Sequence, residues 1–204
     1  MNHPAEKQFE KILADLRSVP SKEQRIRAFT FVRDIPFGHI GSRDPLDVLE
    51  ANKGTCSGKN ALLKNILEAL GYETENWFAK HDFFGKFRHK GKFRMEHWPD
   101  ELSPYRDMEI IDYHTFLKIK LNNQWVQIDA IFDPLMKKFG FPVEDWDGET
   151  DMTLPVHADE TFPVEGNLEQ HKKRLIATHS EKNENNRKGF LLAFTEWLNS
   201  EREK

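Results

Sequence analysis

The sequence predicts a mixed fold of helices and antiparallel strands, and three observations carry that expectation. Apolar residues recur at helical spacing near both ends of the chain, a buried-helix pattern opens at the lone cysteine, and two strand-like runs flank Asn122-Asn123 as the arms of a hairpin would. A length of 204 residues suits one sizeable core, so a single domain over 1–204 is expected.

The elements follow in order. Phe9, Ile12, Leu13 and Leu16 give a first helix from Ala5 to about Val19, and Pro20-Ser21 stops it and caps a second from about Lys22 to Arg33. Prolines and glycines make Ile35 to Pro45 a loop, after which Asp44-Pro45 has the form of a cap and first residue of a short helix through Leu49. In GTCSGKNALLKNILEALGYE the residues Ala61, Leu62, Leu63, Ile66, Leu67, Ala69 and Leu70 make one apolar face, with Gly71 at the stop. Tyr72 to Lys80 is strand-like, and HDFFGKFRHKGKFRMEHW reads as an exposed hairpin or flap. Ile110 to Leu121 and Gln124 to Phe132 form the hairpin about Asn122-Asn123. Residues 140–166 lack a period and read as a long loop or cover, and helices over about 167–180 and 186–201 follow.

Composition excludes several classes. With 30 basic and 34 acidic residues the formal charge is -4, which gives no global attraction to nucleic acid or an anionic membrane. Charges interrupt the opening MNHPAEKQFEKILADLRSVP and no apolar stretch is long enough to span a bilayer, so a cytoplasmic protein with no membrane partner is expected. One cysteine forms neither an internal disulfide nor a multi-thiolate zinc site. The histidines, including His81, His89 and His97, form no HExxH or Cys/His cluster, so no metal and no cofactor are expected. GTCSGK is not a phosphate loop, because three residues rather than four separate Gly54 from Gly58 and Asn60 follows the lysine.

The lone cysteine is placed for chemistry. A thiol attacks as its thiolate, and Cys56 opens a helix, where unpaired N–H groups and the dipole favour the anion. The small Gly54, Ser57 and Gly58 would let a substrate backbone approach and expose N–H groups to an oxyanion. A two-residue turn at Asn122-Asn123 pairs Leu121 with Gln124 and, further down, Phe116 with Asp129. His114 and Asp129 are then diagonal neighbours, while Leu117, Ile119, Leu121, Val126 and Ile128 share the opposite face. Such an imidazole can exchange the thiol proton, and the carboxylate can hold its tautomer.

The order GTCSGKNALLKNILEALGYE, DYHTFLKI, NQWVQIDAIFD resembles the transglutaminase-like superfamily of papain-like thiol enzymes, and FTFVRDIPFGHI resembles the segment leading into its core. Cys56, His114 and Asp129 fall on the three catalytic motif positions, and Trp125 matches a tryptophan four residues before the aspartate. The resemblance covers about 25–133 and leaves 134–204 as an extension. It implies an α+β fold with the cysteine helix packed on an antiparallel sheet, flanked by extra N- and C-terminal helices. It also implies acyl transfer or amide hydrolysis through a cysteine thioester, on a protein or peptide substrate presenting an amide side chain or peptide bond. The final acceptor is water in a hydrolase or an amine in a transglutaminase, with water the expectation for a small cytoplasmic chain.

Asn52, Trp125, Lys90 and Lys92 are the candidate substrate contacts, with a turn or helix-cap role as the other reading of Asn52. Lys80, Lys86, Arg88, Lys90, Lys92 and Arg94 alternate with phenylalanines against the single acid Asp82. Such a run can hold an anionic partner, or be a solvated hairpin countered by the acids from Glu144 to Asp151. An inactive binding module on the same fold is therefore the alternative reading.

Overall fold

The computed structural model describes residues 4–83 and 99–204. Helix α1 (Pro4–Arg17) and helix α2 (Ser21–Asp34) form where the apolar spacing predicts them. Helix α3 (Pro45–Ala51) starts as expected at Asp44, whose carboxylate accepts from the Leu46 N–H at 2.8 Å. It ends at Asn52 in the left-handed region (φ 45°), whose backbone N–H closes the last turn on the Leu49 and Val48 carbonyls, so this residue is an exposed helix cap.

Helix α4 (Cys56–Ala69) carries the cysteine in its first turn and stops before Gly71 (φ 91°). The glycines around the cysteine serve packing here rather than a substrate. A Cβ on Gly58 would meet Val48 Cγ2 at 2.7 Å and one on Gly54 would meet Val48 Cγ1 at 3.0 Å, so both let α3 close on α4.

Strand β1 (Thr74–Asp82) pairs with β2 (Ile111–Leu121), which pairs with β3 (Gln124–Ile128), in a 4-stranded sheet ordered β3-β2-β1-β4 with antiparallel neighbours. The turn takes the form that the sequence requires, with Asn122 at φ 50° and Asn123 at φ 63°, and the ladder runs from Leu121↔Gln124 to Leu117↔Ile128. Strand β3 ends four residues before the expected Phe132. The side chains of Asp129 and Asp133 are bonded elsewhere, and they draw the chain off the ladder.

Strand β4 (Glu160–Pro163) lies inside the segment expected to be loop and adds itself to the free edge of β1. Its shortness and its terminal proline suit an edge strand. The rest of that segment is a cover, as expected: Trp146 and Met152 enter the core, and Trp146 packs on Phe29 at a centroid distance of 5.9 Å. Short 3₁₀ turns at Asp100–Tyr105 and Pro134–Phe139 were not anticipated. Helix α5 (Leu168–Ile176) is capped by Asn167, and helix α6 (Glu181–Arg202) starts five residues earlier than expected because Ser180 caps it.

The main core lies between α1–α4 and the sheet, where Leu117, Ile119, Val126 and Ile128 meet Leu62, Leu63, Ile66 and Leu67. This is the apolar set that the hairpin register predicts. A second cluster gathers Phe37, Cys56, Ile131 and Phe132 with Phe190, Phe194 and Trp197 of α6. Strand β2 is consequently buried without alternation from Asp112 to Leu117, covered from both sides. The fold is α+β, with the cysteine helix against an antiparallel sheet and further helices from both ends of the chain. No helix among the described residues is long and apolar enough to cross a membrane.

Candidate active site

Asp129 is the first residue past the β2–β3 ladder, and its Oδ2 lies 2.5 Å from His114 Nε2, with both side chains buried. Its other oxygen accepts from Asn60 Nδ2 at 3.1 Å. Asn60 also donates to the Thr115 carbonyl at 2.7 Å and accepts from the Ala130 N–H at 3.3 Å. Because Asn60 follows Cys56 by one helical turn, α4 presents the thiol and the amide that fixes the carboxylate on one face. The ring and Cys56 line the same cavity, and each shifts the other's proton affinity. With Nε2 occupied by Asp129, Nδ1 is the ring atom left for sulfur. The three residues singled out in the sequence thus lie together as thiol, imidazole and carboxylate.

Charge follows from this arrangement. Burial pushes the Cys56 thiol up, but the Lys172 ammonium and the hydrogen bond and charge of His114 outweigh it, against Asp112, and bring it from 9.0 to about 6. Burial lowers His114, yet the charge and hydrogen bond of Asp129 and the contact with Cys56 raise it from 6.5 to about 10. Thiolate and imidazolium are the favoured pair at neutral pH. Burial drives His81, whose ring centroid is 6.3 Å from that of His114, down to about 3 and keeps it neutral.

These shifts set a stability profile. Depression of the thiol alone would favour the fold above pH 9 and be lost as pH falls towards 6; elevation of the imidazole alone would favour it below 6.5 and be lost as pH rises through about 10. Between 6.5 and 9.0 folding moves a proton from sulfur to ring without net uptake, so this pair contributes a constant amount there and loses it between 9.0 and about 10. Urea unfolding of wild type and of the double variant Cys56→Ser/His114→Gln, in which neither group titrates, checks this at several pH values: the difference should be flat from 6.5 to about pH 9 and shrink above it.

A cavity of about 350 Å³ opens on the thiol. Its walls are largely apolar, with Phe37, Phe132, Phe141, Phe190, Leu191 and Phe194 prominent. Asp112, Lys172 and Arg187 also line it, although each is buried. Asp112 Oδ1 is 3.4 Å from Lys172 Nζ and 3.7 Å from Arg187 Nη1. Burial pushes the Asp112 carboxyl up, and the charges of Lys172 and Arg187 more than reverse that. Sequence reasoning missed this cluster. Its signals were present: Asp112 stands two residues before His114, Lys172 sits on the Leu168/Leu175 stripe of α5, and Arg187 precedes Phe190, Leu191 and Phe194 at helical spacing.

The other candidate contacts fare differently. Asn52 and Trp125 are not among the residues that line the cavity; Trp125 is 37% exposed on β3, with Lys120 Nζ 5.6 Å from its ring centroid. Lys90 and Lys92, with the flap that carries them, and His89 and His97 lie outside the described residues. Of the acids expected to oppose that flap, Asp145 pairs with Arg33, Glu149 with Lys22 at 2.7 Å, and Asp151 accepts from the Gln127 N–H at 2.6 Å. Among the described residues no three His, Cys, Asp or Glu side chains are grouped to hold a metal ion.

No protein-family model and no curated protein matches the chain. Among solved structures, one from Cytophaga hutchinsonii, provisionally described as a cysteine protease, is similar at a TM-score of 0.40 and 14% identity, over 62% of this chain and 37% of that one. A likeness of that order carries no functional inference.

Proposed function

We propose that this chain is a thiol enzyme of the papain-like, transglutaminase-like kind, which forms a thioester at Cys56 and passes the acyl group to water or to an amine. One observation carries the reading: a buried carboxylate holds an imidazole by a hydrogen bond, and that ring and a helix-start thiol line the same cavity.

In the first half-reaction the Cys56 thiolate attacks an amide carbonyl and the carbonyl π electrons move to oxygen, where first-turn N–H groups of α4 favour the charge. Collapse of that intermediate expels the amine, which takes its proton from the His114 imidazolium. The product is a thioester and a neutral imidazole. In the second, His114 accepts a proton from the incoming water or amine as its oxygen or nitrogen bonds to the thioester carbonyl carbon; the C–S bond then breaks, the acid or new amide leaves, and thiolate and imidazolium are restored. Asp129 holds the ring throughout and stays ionised.

Alkylation tests the reading without a known substrate. Native Cys56 should react with iodoacetamide at a rate that inflects near pH 6 rather than near 9.0. At pH 6 it should outpace the urea-unfolded chain by about tenfold, the gain in thiolate fraction being partly offset by the lower nucleophilicity of a less basic sulfur. Equal rates would end this reading.

A further inference from the structure

Each element around Cys56 brings charge to it. Strand β2 supplies Asp112 and His114, β1 supplies His81 and Asp82, and α5 supplies Lys172. Helix α6 supplies Arg187 and Lys188, and the segments 39–43 and 155–157 bring His39, Arg43 and His157 to the same cavity. Several of these are engaged elsewhere. Arg43 pairs with Glu169 at 3.5 Å, Lys188 with Glu184 at 2.6 Å, and Asp82 accepts from the Ile110 N–H at 3.1 Å.

Lys172 differs in position. Its Nζ donates to Ser57 Oγ at 3.4 Å, and that hydroxyl is 3.9 Å from Cys56 Sγ. The ammonium therefore stands one hydroxyl away from the sulfur, at the first turn of α4. Ser57 is fixed in turn by Thr115 Oγ1 of β2 at 2.8 Å. Lys172 is 3% exposed, so water does not screen it, and Arg187 competes with it for Asp112, a carboxylate within reach of both. Two cations thus face one carboxylate, so the cluster carries positive charge in excess.

We propose that Lys172 is a positioning residue for the thiol reaction: its buried ammonium, held by Ser57 and Asp112, keeps the Cys56 sulfur ionised before any substrate arrives. The inference rests on Cys56 being the nucleophile. It gives the C-terminal extension a part in the chemistry, because α5 lies outside the core segment that carries thiol, imidazole and carboxylate.

The test is the thiolate absorbance at 240 nm against pH, on the full chain. Wild type should inflect near pH 6. Lys172→Met should move the inflection up by about one unit or more, the usual effect of losing an opposite charge at short range. Lys172→Arg, which keeps the charge, should stay within about half a unit of wild type. A purely structural lysine would lower the unfolding free energy of the Met variant and leave its inflection in place, and that result would overturn the proposal. Should Lys172→Met fail to fold, Lys172→Gln, which retains a donor for Ser57, gives the same two-way reading. A wild-type inflection near 9 would instead sink the thiol-enzyme reading itself.

Discussion

Asp129→Asn is expected to cut turnover by about 10³–10⁴-fold while leaving the fold in place. The carboxylate accepts on both oxygens, from His114 Nε2 at 2.5 Å and from Asn60 Nδ2 at 3.1 Å. An amide accepts on one side only. If its oxygen stays with Asn60, its NH₂ faces Nε2, which must then become an acceptor. The proton moves to Nδ1, and the neutral ring can no longer take one from a thiol or from water on that side. Loss of the charge also removes what holds the imidazolium, so the ring reverts to its neutral form. Hydrolysis of p-nitrophenyl acetate, as an activated acyl probe, with circular dichroism as the check on folding, measures this. A variant within threefold of wild type would contradict the assigned role.

Lys59→Met should destabilise the fold by about 3–5 kcal/mol, a large part of the stability of an ordinary domain. Lys59 is fully buried, three residues after the thiol, and its Nζ donates to the carbonyls of Arg33 at 2.9 Å, Ile35 at 2.6 Å and Ile131 at 2.6 Å. Burial pulls this amine down to about 7 against the charges of Asp133 and Asp129. Three acceptors nevertheless require three N–H donors, which only the ammonium has. Two of the carbonyls belong to the end of α2, where the helix dipole also favours a cation. Methionine keeps the aliphatic stem and leaves all three carbonyls unpaired. Urea unfolding should register a lower midpoint at unchanged slope. A loss under 1 kcal/mol would mean that the carbonyls find other donors.

Local rules with fixed periods made much of this legible in the sequence. Asn122-Asn123 tolerates positive φ, and that fixed the parity of β2 and β3; Asp44-Pro45 fixed the start of α3. From the same parity came the meeting of His114 with Asp129. What stayed hidden depends on partners distant in the chain. Strand β4 is four residues long and exists because β1 has an open edge. The bend after Ile128 needs Asn60 to claim Asp129, and it needs Asp133 Oδ2 to accept from the Phe37 N–H at 2.7 Å. Lys172 and Arg187 resemble solvated charges on amphipathic helices until Asp112 is seen opposite them. The glycines beside Cys56 had two possible uses, and only the presence of Val48 decides between them.

Arg202, in the last turn of α6, donates to the Phe37 carbonyl at 3.1 Å and to Asp133 Oδ2 at 2.9 Å, joining the loop before the cysteine helix to the chain just past the hairpin. On the ribosome that latch is translated long after sulfur and ring have emerged. A chain broken off before α6 would hold both groups yet lack Phe190, Phe194 and Trp197, which pack in one cluster with Cys56.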